Sequence, residues 1–189
     1  MRYWLFKSEP DCFSIDDLSR RPKQTAAWDG VRNFQVRNML RDEIKPGDLA
    51  FFYHSSCTPP GIAGIMTIVK SGYPDNTAWD IHSDHFDPAS TPDNPRWYMV
   101  DIKLIKKFPH FITLNELKHH PKLKNMPILR KGNRLSITPV TKAEWEVIEK
   151  FGKILKTNHY NATISKTLNE WDSPEDDEAY HDLWIFSVL

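Results

Sequence analysis

Two short apolar runs constrain this chain more than any other feature. Asp48–His54 (DLAFFYH) and Ile62–Lys70 (IAGIMTIVK) are apolar at successive positions, and a Pro-Pro-Gly loop joins them. Runs of this length bounded by turn residues read as strands, and a strand without alternation is buried on both faces. Trp97–Phe108 does alternate: Tyr98, Val100, Ile102 and Leu104 point one way, Trp97, Met99, Asp101 and Lys103 the other. Arg2–Lys7 (RYWLFK) and Arg134–Thr138 (RLSIT) are further strands.

The helices between them are short. Ser14 and Asp17 mark a helix start, with helix over Ile15–Arg20. Arg32–Asp42 reads as helix with Phe34, Met39 and Leu40 turned inward, ending before Pro46-Gly47. Thr113–Glu116 and Thr141–Glu144 are capping boxes, the second opening a helix over Ala143–Phe151. Residues 71–96 carry four prolines and little periodicity, and read as one long loop. The expected fold is α+β: a small, closed or nearly closed β-barrel flanked by short helices.

The expected domain spans residues 1–152. Residues 153–189 form an appendage with helix potential around Ile154–Leu168, an acidic run and an apolar end, LWIFSVL. The whole chain has 25 basic and 25 acidic residues, yet from Lys153 onward it has three lysines against seven carboxylates. The domain is therefore mildly basic. Its segment Lys118–Arg134 holds six basic residues and no carboxylate. Such a segment suits a polyanion-facing surface and equally an ordinary solvated loop. Two cysteines, Cys12 and Cys57, are too few for a disulfide framework. With no 18-residue apolar run and no signal-like N-terminus, the expected location is neither membrane nor secreted. It is the cytoplasm in a bacterium or the nucleus in a eukaryote.

No catalytic engine is legible. His54 and Cys57 lie three residues apart without an orienting third group. His82, Asp84, His85 and Asp87 form H-x-D-H-x-D, which reads as solvated loop rather than metal site. There is no GxxxxGK[ST], GxGxxG, nucleophile elbow or HExxH. No catalytic residue, metal or cofactor is expected. Instead, polar residues gather at element ends: Lys7-Ser8-Glu9, Trp28 to Asn33, Tyr53 to Ser56, and Arg134 to Ser136. In a small barrel such ends meet at a rim. A Trp beside a Gly offers a flat face and accessible backbone N–H groups, which suits a stacked planar ligand. Core packing is the other reading of Trp28.

The segments KSEP, WDGVRNFQVRN, FFYHSSC, GIAGIMTIVK and RLSITP, in this order and spacing, closely resemble the EVE domain over residues 2–151. The resemblance implies a PUA-like fold and a non-catalytic reader of a modified nucleobase, with modified cytosine in DNA as the main proposal. The implied pocket holds Ser8, Glu9, Trp28, Asp29, Gly30, Val31, Arg32, Asn33, Tyr53, His54, Ser55, Leu135 and Ser136, with Lys7 and Trp97 ranked lower. The family often has Tyr where this chain has Phe34, and the segment after Gly152 has no recognised counterpart. On this reading Trp28 stacks on the base, while Ser8, Glu9, Asn33 and His54 read its polar edges. Arg37, Arg41, Arg130, Lys131 and Arg134 meet phosphates, as does Arg32. Lys7 faces phosphate or pairs with Glu9. The expected partner is nucleic acid carrying a modified base. A reader of modified RNA and an enzyme on modified bases are the competing readings. The acidic appendage is expected either to compete for the basic surface or to pack LWIFSVL on an apolar groove.

Overall fold

The computed structural model describes residues 1–153. The expectations for the appendage fall on residues outside this described part.

The described residues form a mixed six-stranded sheet in the order β2-β5-β4-β3-β1-β6. The strands are β1 (Tyr3–Ser8), β2 (Thr25–Trp28), β3 (Leu49–His54), β4 (Gly61–Pro74), β5 (Tyr98–Thr113) and β6 (Ile137–Val140). Only β1 and β3 pair in parallel; the other ladders are antiparallel. Helices α1 (Ile15–Arg20), α2 (Phe34–Asn38), α3 (Leu114–His119) and α4 (Lys142–Lys153) flank the sheet.

The two-sided apolar runs are explained by two cores. Trp4 and Phe6 of β1, Ala50 and Phe52 of β3, Met66 and Ile68 of β4, and Val100, Ile102 and Leu104 of β5 share one cluster. Leu5, Phe51, Tyr53, Ile62, Ile65 and Phe108 belong to a second, closed by Trp145 and Ile148 of α4. Alternate residues of β1 and β3 thus enter opposite cores. Trp145 stacks on Phe51 at 4.0 Å between ring centroids and on Tyr3 at 4.8 Å. The one carboxylate inside the β3 run is satisfied: buried Asp48 accepts from Arg2 N, Trp4 Nε1 and Lys45 N.

The sheet is barrel-like but open, because among the described residues no ladder joins the edge strands β2 and β6. Several boundaries differ from the sequence reading. β4 continues to Pro74, so the supposed loop over residues 71–96 begins as strand and then makes a 3₁₀ turn at Asn76–Ala78. Register shifts at four places along the β4–β5 ladder break the period-two pattern and bend the pair. β5 runs past Phe108 to Thr113. β2, TAAW, is too short and too small-sided to show a pattern. The expected helix over Arg32–Asp42 is α2 followed by a π-turn, Met39–Glu43. Phe34, expected inside, is half exposed, since position N1 of α2 lies clear of the core.

Where β4 crosses the π-turn the contact is backbone to backbone. A Cβ on Gly72 would sit 2.3 Å from Leu40 O and 2.8 Å from Arg41 Cα. Gly72→Ala must push two backbones apart and should cost about 1–3 kcal/mol, as overpacking does. Urea denaturation checks this, and an unshifted midpoint would show that the crossing yields freely.

Candidate functional site

A cavity of about 850 Å³ lies at the gap in the sheet. Thr25–Trp28 of edge strand β2 line one side; Lys7 and Ser8 of β1 and Ser136, just before β6, line the other. The curl of the sheet brings these non-neighbouring strands together. Cys12, Phe13, Arg21 and Pro22 from the chain around α1, and the loop Asp29–Asn33, complete the wall.

The apolar floor is aromatic. Trp28 packs edge-to-face with Phe6 at 5.2 Å, Phe52 at 5.5 Å and Phe13 at 6.3 Å. It is both core ring and cavity wall, and only 7% of it is exposed, too little for a whole stacking face. Phe13 is half-buried and lines the same cavity.

The loop Asp29–Asn33 is held from behind by Asp75, a fully buried residue that follows β4 directly. Its carboxylate accepts from Gly30 N (3.0 Å), Arg32 Nη1 (2.8 Å), Thr77 N (3.0 Å) and Thr77 Oγ1 (2.7 Å). Burial opposes its charge, but the Arg32 and Thr77 bonds together hold its pKa below the ordinary value. Arg32 also donates to His85 O and lies 5.4 Å from the Trp97 ring centroid. The His85 ring sits where a Gly30 Cβ would be, 2.5 Å away, and Gly30 has φ +72°. Glycine is therefore required twice over at this position. Asp29 is an exposed residue whose carboxyl is nonetheless raised, first by desolvation and then by the like charge of Asp75.

Two polar groups in the wall have their roles set by internal bonds. Ser8 Oγ donates its one hydrogen to Phe13 O (2.7 Å), leaving lone pairs for a ligand. Asn33 caps α2: its Oδ1 accepts from Gln35 N and Val36 N, leaving the amide hydrogens for a ligand. Ser136 Oγ has no protein partner among the described residues.

Of the residues named from sequence, the cavity wall gathers Lys7, Ser8, Trp28, Asp29, Gly30, Val31, Arg32, Asn33 and Ser136. The others take different places. Glu9 accepts from Ser56 Oγ at 2.8 Å, so it does not pair with Lys7. Lys7 has its pKa lowered by burial. Tyr53 points into the second core, where burial pushes its hydroxyl up to about 12. His54 Nε2 accepts from Ile15 N at 3.1 Å and so starts α1; burial lowers its pKa. Ser55 N donates to Ser8 O, fixing the ends of β1 and β3 side by side. Leu135 packs against the first core. Trp97 is buried, donating Nε1 to Asp87 at 2.7 Å.

Besides Arg32, two expected phosphate contacts have internal partners. Arg37 donates to Asn38 Oδ1 and Arg96 O, and Arg41 makes a two-toothed pair with Asp42. Arg130 is exposed with one 3.5 Å contact to Asn125 O, while Lys131 and Arg134 are exposed with no partner among the described residues. Phe13, Arg21 and Asp75 were missed from sequence. Arg21 is exposed, lies 5.9 Å from the Phe13 ring centroid and has no carboxylate partner among the described residues. Nothing local to their segments signals these roles.

The thiol has no base: His54 is spent on Ile15, and burial followed by the charge of Asp11 raises the Cys57 pKa. His85 and Asp87 of the H-x-D-H-x-D stretch act through their backbone and side chain to pin Arg32 and Trp97. Among the described residues no cluster of His, Cys, Asp and Glu could hold a metal, and no helix is long and apolar enough to cross a membrane.

The curled, open α+β sheet with a cavity at its gap agrees with the PUA-like fold that the resemblance to the EVE domain implies. The chain belongs to the EVE domain family, whose model matches residues 2–151. It is 47% identical to Thymocyte nuclear protein 1 of Homo sapiens over 163 residues, 77% of this chain and 72% of that protein. A solved Pseudomonas putida protein is 47% identical, with a TM-score of 0.75, covering 79% of this chain and 99% of its own. The structure of human THYN1 in complex with 5-methylcytosine-containing DNA superposes with a TM-score of 0.77 at 45% identity, covering 82% of this chain and 99% of its own.

Two tests follow from the network. Asp75→Asn turns one acceptor oxygen into a donor facing Gly30 N or Arg32, and should lower stability by about 3 kcal/mol in urea denaturation, as breaking a buried pair does. A loss near zero would mean that the loop is held by other bonds. His54 has a folded pKa below its unfolded value of about 6.5, so between the two values the unfolded chain takes the proton more readily. Its stabilising bond is intact above that window and is lost as pH falls through it. His54→Gln, which can still accept from Ile15 N, should lose less stability between about pH 7 and pH 5 than the parent. Equal losses would assign the acid sensitivity to other groups.

Proposed function

We propose that this protein is a non-catalytic reader that takes one modified nucleobase, a modified cytosine of DNA, into the cavity at the open edge of its sheet. The observation that carries the reading is the likeness to human THYN1 solved with 5-methylcytosine-containing DNA.

The cavity chemistry supports it. A cytosine presents an amine donor and two acceptors along its pairing edge. Ser8 lone pairs and the Asp29 carboxyl suit the amine, and the Asn33 amide hydrogens suit an acceptor. Phe13 supplies a stacking face, and Trp28 an apolar floor beneath the base. A base held there must leave its stack, which costs a few kcal/mol, and stacking on an aromatic returns about 1–3 kcal/mol. Arg21, Arg130, Lys131 and Arg134 are exposed cations with no carboxylate partner among the described residues, and can meet phosphates. The engaged His54 and the raised Cys57 favour binding without chemistry.

Titration of matched oligonucleotides tests this. DNA with a single 5-methylcytosine should bind about fourfold more tightly than the unmodified strand, the worth of one buried methyl. Phe13→Ala should weaken binding roughly tenfold. So should Asn33→Asp, which keeps the cap but loses the amide donors and adds a charge. Equal affinity for both DNAs, or no loss in Phe13→Ala, refutes the reading. Tighter binding to the ribose version of the same sequence would move the ligand from DNA to RNA.

A further inference from the structure

Among the described residues, the large exposed hydrophobics are Met1, Phe34, Val69, Ile81, Phe86 and Ile105. Phe34 differs from the rest in how it is held. It directly follows Asn33 of the cavity wall, and 51% of it reaches solvent. Its ring is stacked on buried Trp97 at 4.9 Å and 27°. The guanidiniums of Arg37 and Arg96 lie 5.1 and 5.5 Å from its centroid. Trp97 is itself fixed through Asp87, which also meets Arg96 at 3.4 Å. Ile81 and Phe86 lie on the turn that receives the Arg32 bond to His85 O.

A solvent-facing ring held by stacking and by two cations is rigid at its base and apolar at its tip. Folding gains little from that exposure, and an exposed apolar patch beside a cavity marks a contact surface. A duplex that gives up one base to a cavity is left with an unstacked gap, which proteins fill with apolar wedges.

We propose that Phe34 is such a wedge: it enters the duplex stack at the place vacated by the base held in the cavity. The inference rests on the base-binding reading above. Cavity wall and wedge are consecutive residues, so the ring is anchored directly beside the cavity wall, about 3.8 Å away between Cα atoms. A nucleotide drawn past Asn33 therefore leaves its gap beside the ring. The neighbouring guanidiniums place positive charge where the flanking phosphates pass. Arg37 still has one terminal nitrogen without a partner among the described residues.

The wedge acts only where there is a stack to refill, so the test compares double and single strands. Fluorescence anisotropy would be measured for the full chain, Phe34→Ala and Phe34→Tyr. The probes are a duplex with one 5-methylcytosine and its single modified strand. Phe34→Ala should bind the duplex about tenfold more weakly and the single strand within about twofold of the parent, while Phe34→Tyr keeps parental duplex affinity. With 2-aminopurine beside the modified base, Phe34→Ala should also change the fluorescence of the bound duplex. An unchanged duplex affinity, or an equal loss on both probes, overturns the wedge. Thermal melting of Phe34→Ala separates a folding defect from a binding defect. Failure of the base-binding reading looks different: the parent chain would then not distinguish modified from unmodified DNA, while the ratio of duplex to single-strand affinities would still report on Phe34.

Discussion

Among the described residues the sheet is buried on both faces and yet keeps two unpaired edges, and the rest of the described fold answers to that constraint. A barrel of this size closes only if the strands at its ends can approach to ladder distance. Here Phe6, Trp28 and Phe52 fill the space between them edge-to-face, with Phe13 beside them, at centroid separations of 5.2–6.3 Å. This aromatic bulk holds β2 away from β1 and β6. An open edge is a hazard in most sheets, because unpaired backbone groups recruit other strands. In this chain the edge is turned inward to wall a cavity, with Thr25–Trp28 facing Ser8 and Ser136 across it. The feature that prevents closure is the feature that makes room for a ligand.

An open gap would be of little use if its wall were soft, and Asp75 supplies the stiffness. A buried carboxylate is tolerable only when its lone pairs are filled and its charge is opposed. Four donors, the Arg32 guanidinium among them, do both, and the Gly30 and Arg32 ties fix the loop that carries Asp29 and Asn33. The same network divides the arginines. Arg32, Arg37 and Arg41 are engaged with the protein itself. Arg21 and the residues before β6 remain for an outside anion. Counting basic residues along the sequence could not separate these groups, because for Arg32 and Arg37 the distinction depends on partners 43 and 59 positions away.

That division explains which parts of the molecule were legible. β1, β3 and the alternating half of β5 were readable because their side chains obey one period and their neighbours are uniform. β4 beyond Lys70 was not, since its bulges change which face successive residues occupy. β2 carries two alanines and makes its one large contribution through Trp28. The Trp28–Asn33 stretch, Ser8 and Ser136 could be placed at a rim through the recurrence of polar residues at element ends. Phe13 could not, because it enters the cavity through the bend before α1, where no pattern forces it inward. His54 and Glu9 share the rim polarity of Ser8 but are bound to Ile15 and Ser56. Residue type signals that a side chain can bond, whereas only the fold says whether that capacity has already been used.

Capacity already used is itself informative about recognition. A serine hydroxyl can donate or accept, and an asparagine amide can do both, so either residue in isolation reads a ligand ambiguously. Internal bonds remove the ambiguity here. Ser8 has given its hydrogen to Phe13 O and can only accept; Asn33 has given its oxygen to the start of α2 and can only donate. A ligand that offers the wrong polarity at the partly buried Ser8 leaves that group unpaired, which is a larger penalty than the gain from a correct bond. On the base-binding proposal, the discrimination comes from bonds the protein makes to itself. The two that matter most, at Ser8 and Asn33, are also the bonds that shape the approach to α1 and start α2. In this domain the fold and the polarity of the cavity are set by the same hydrogens.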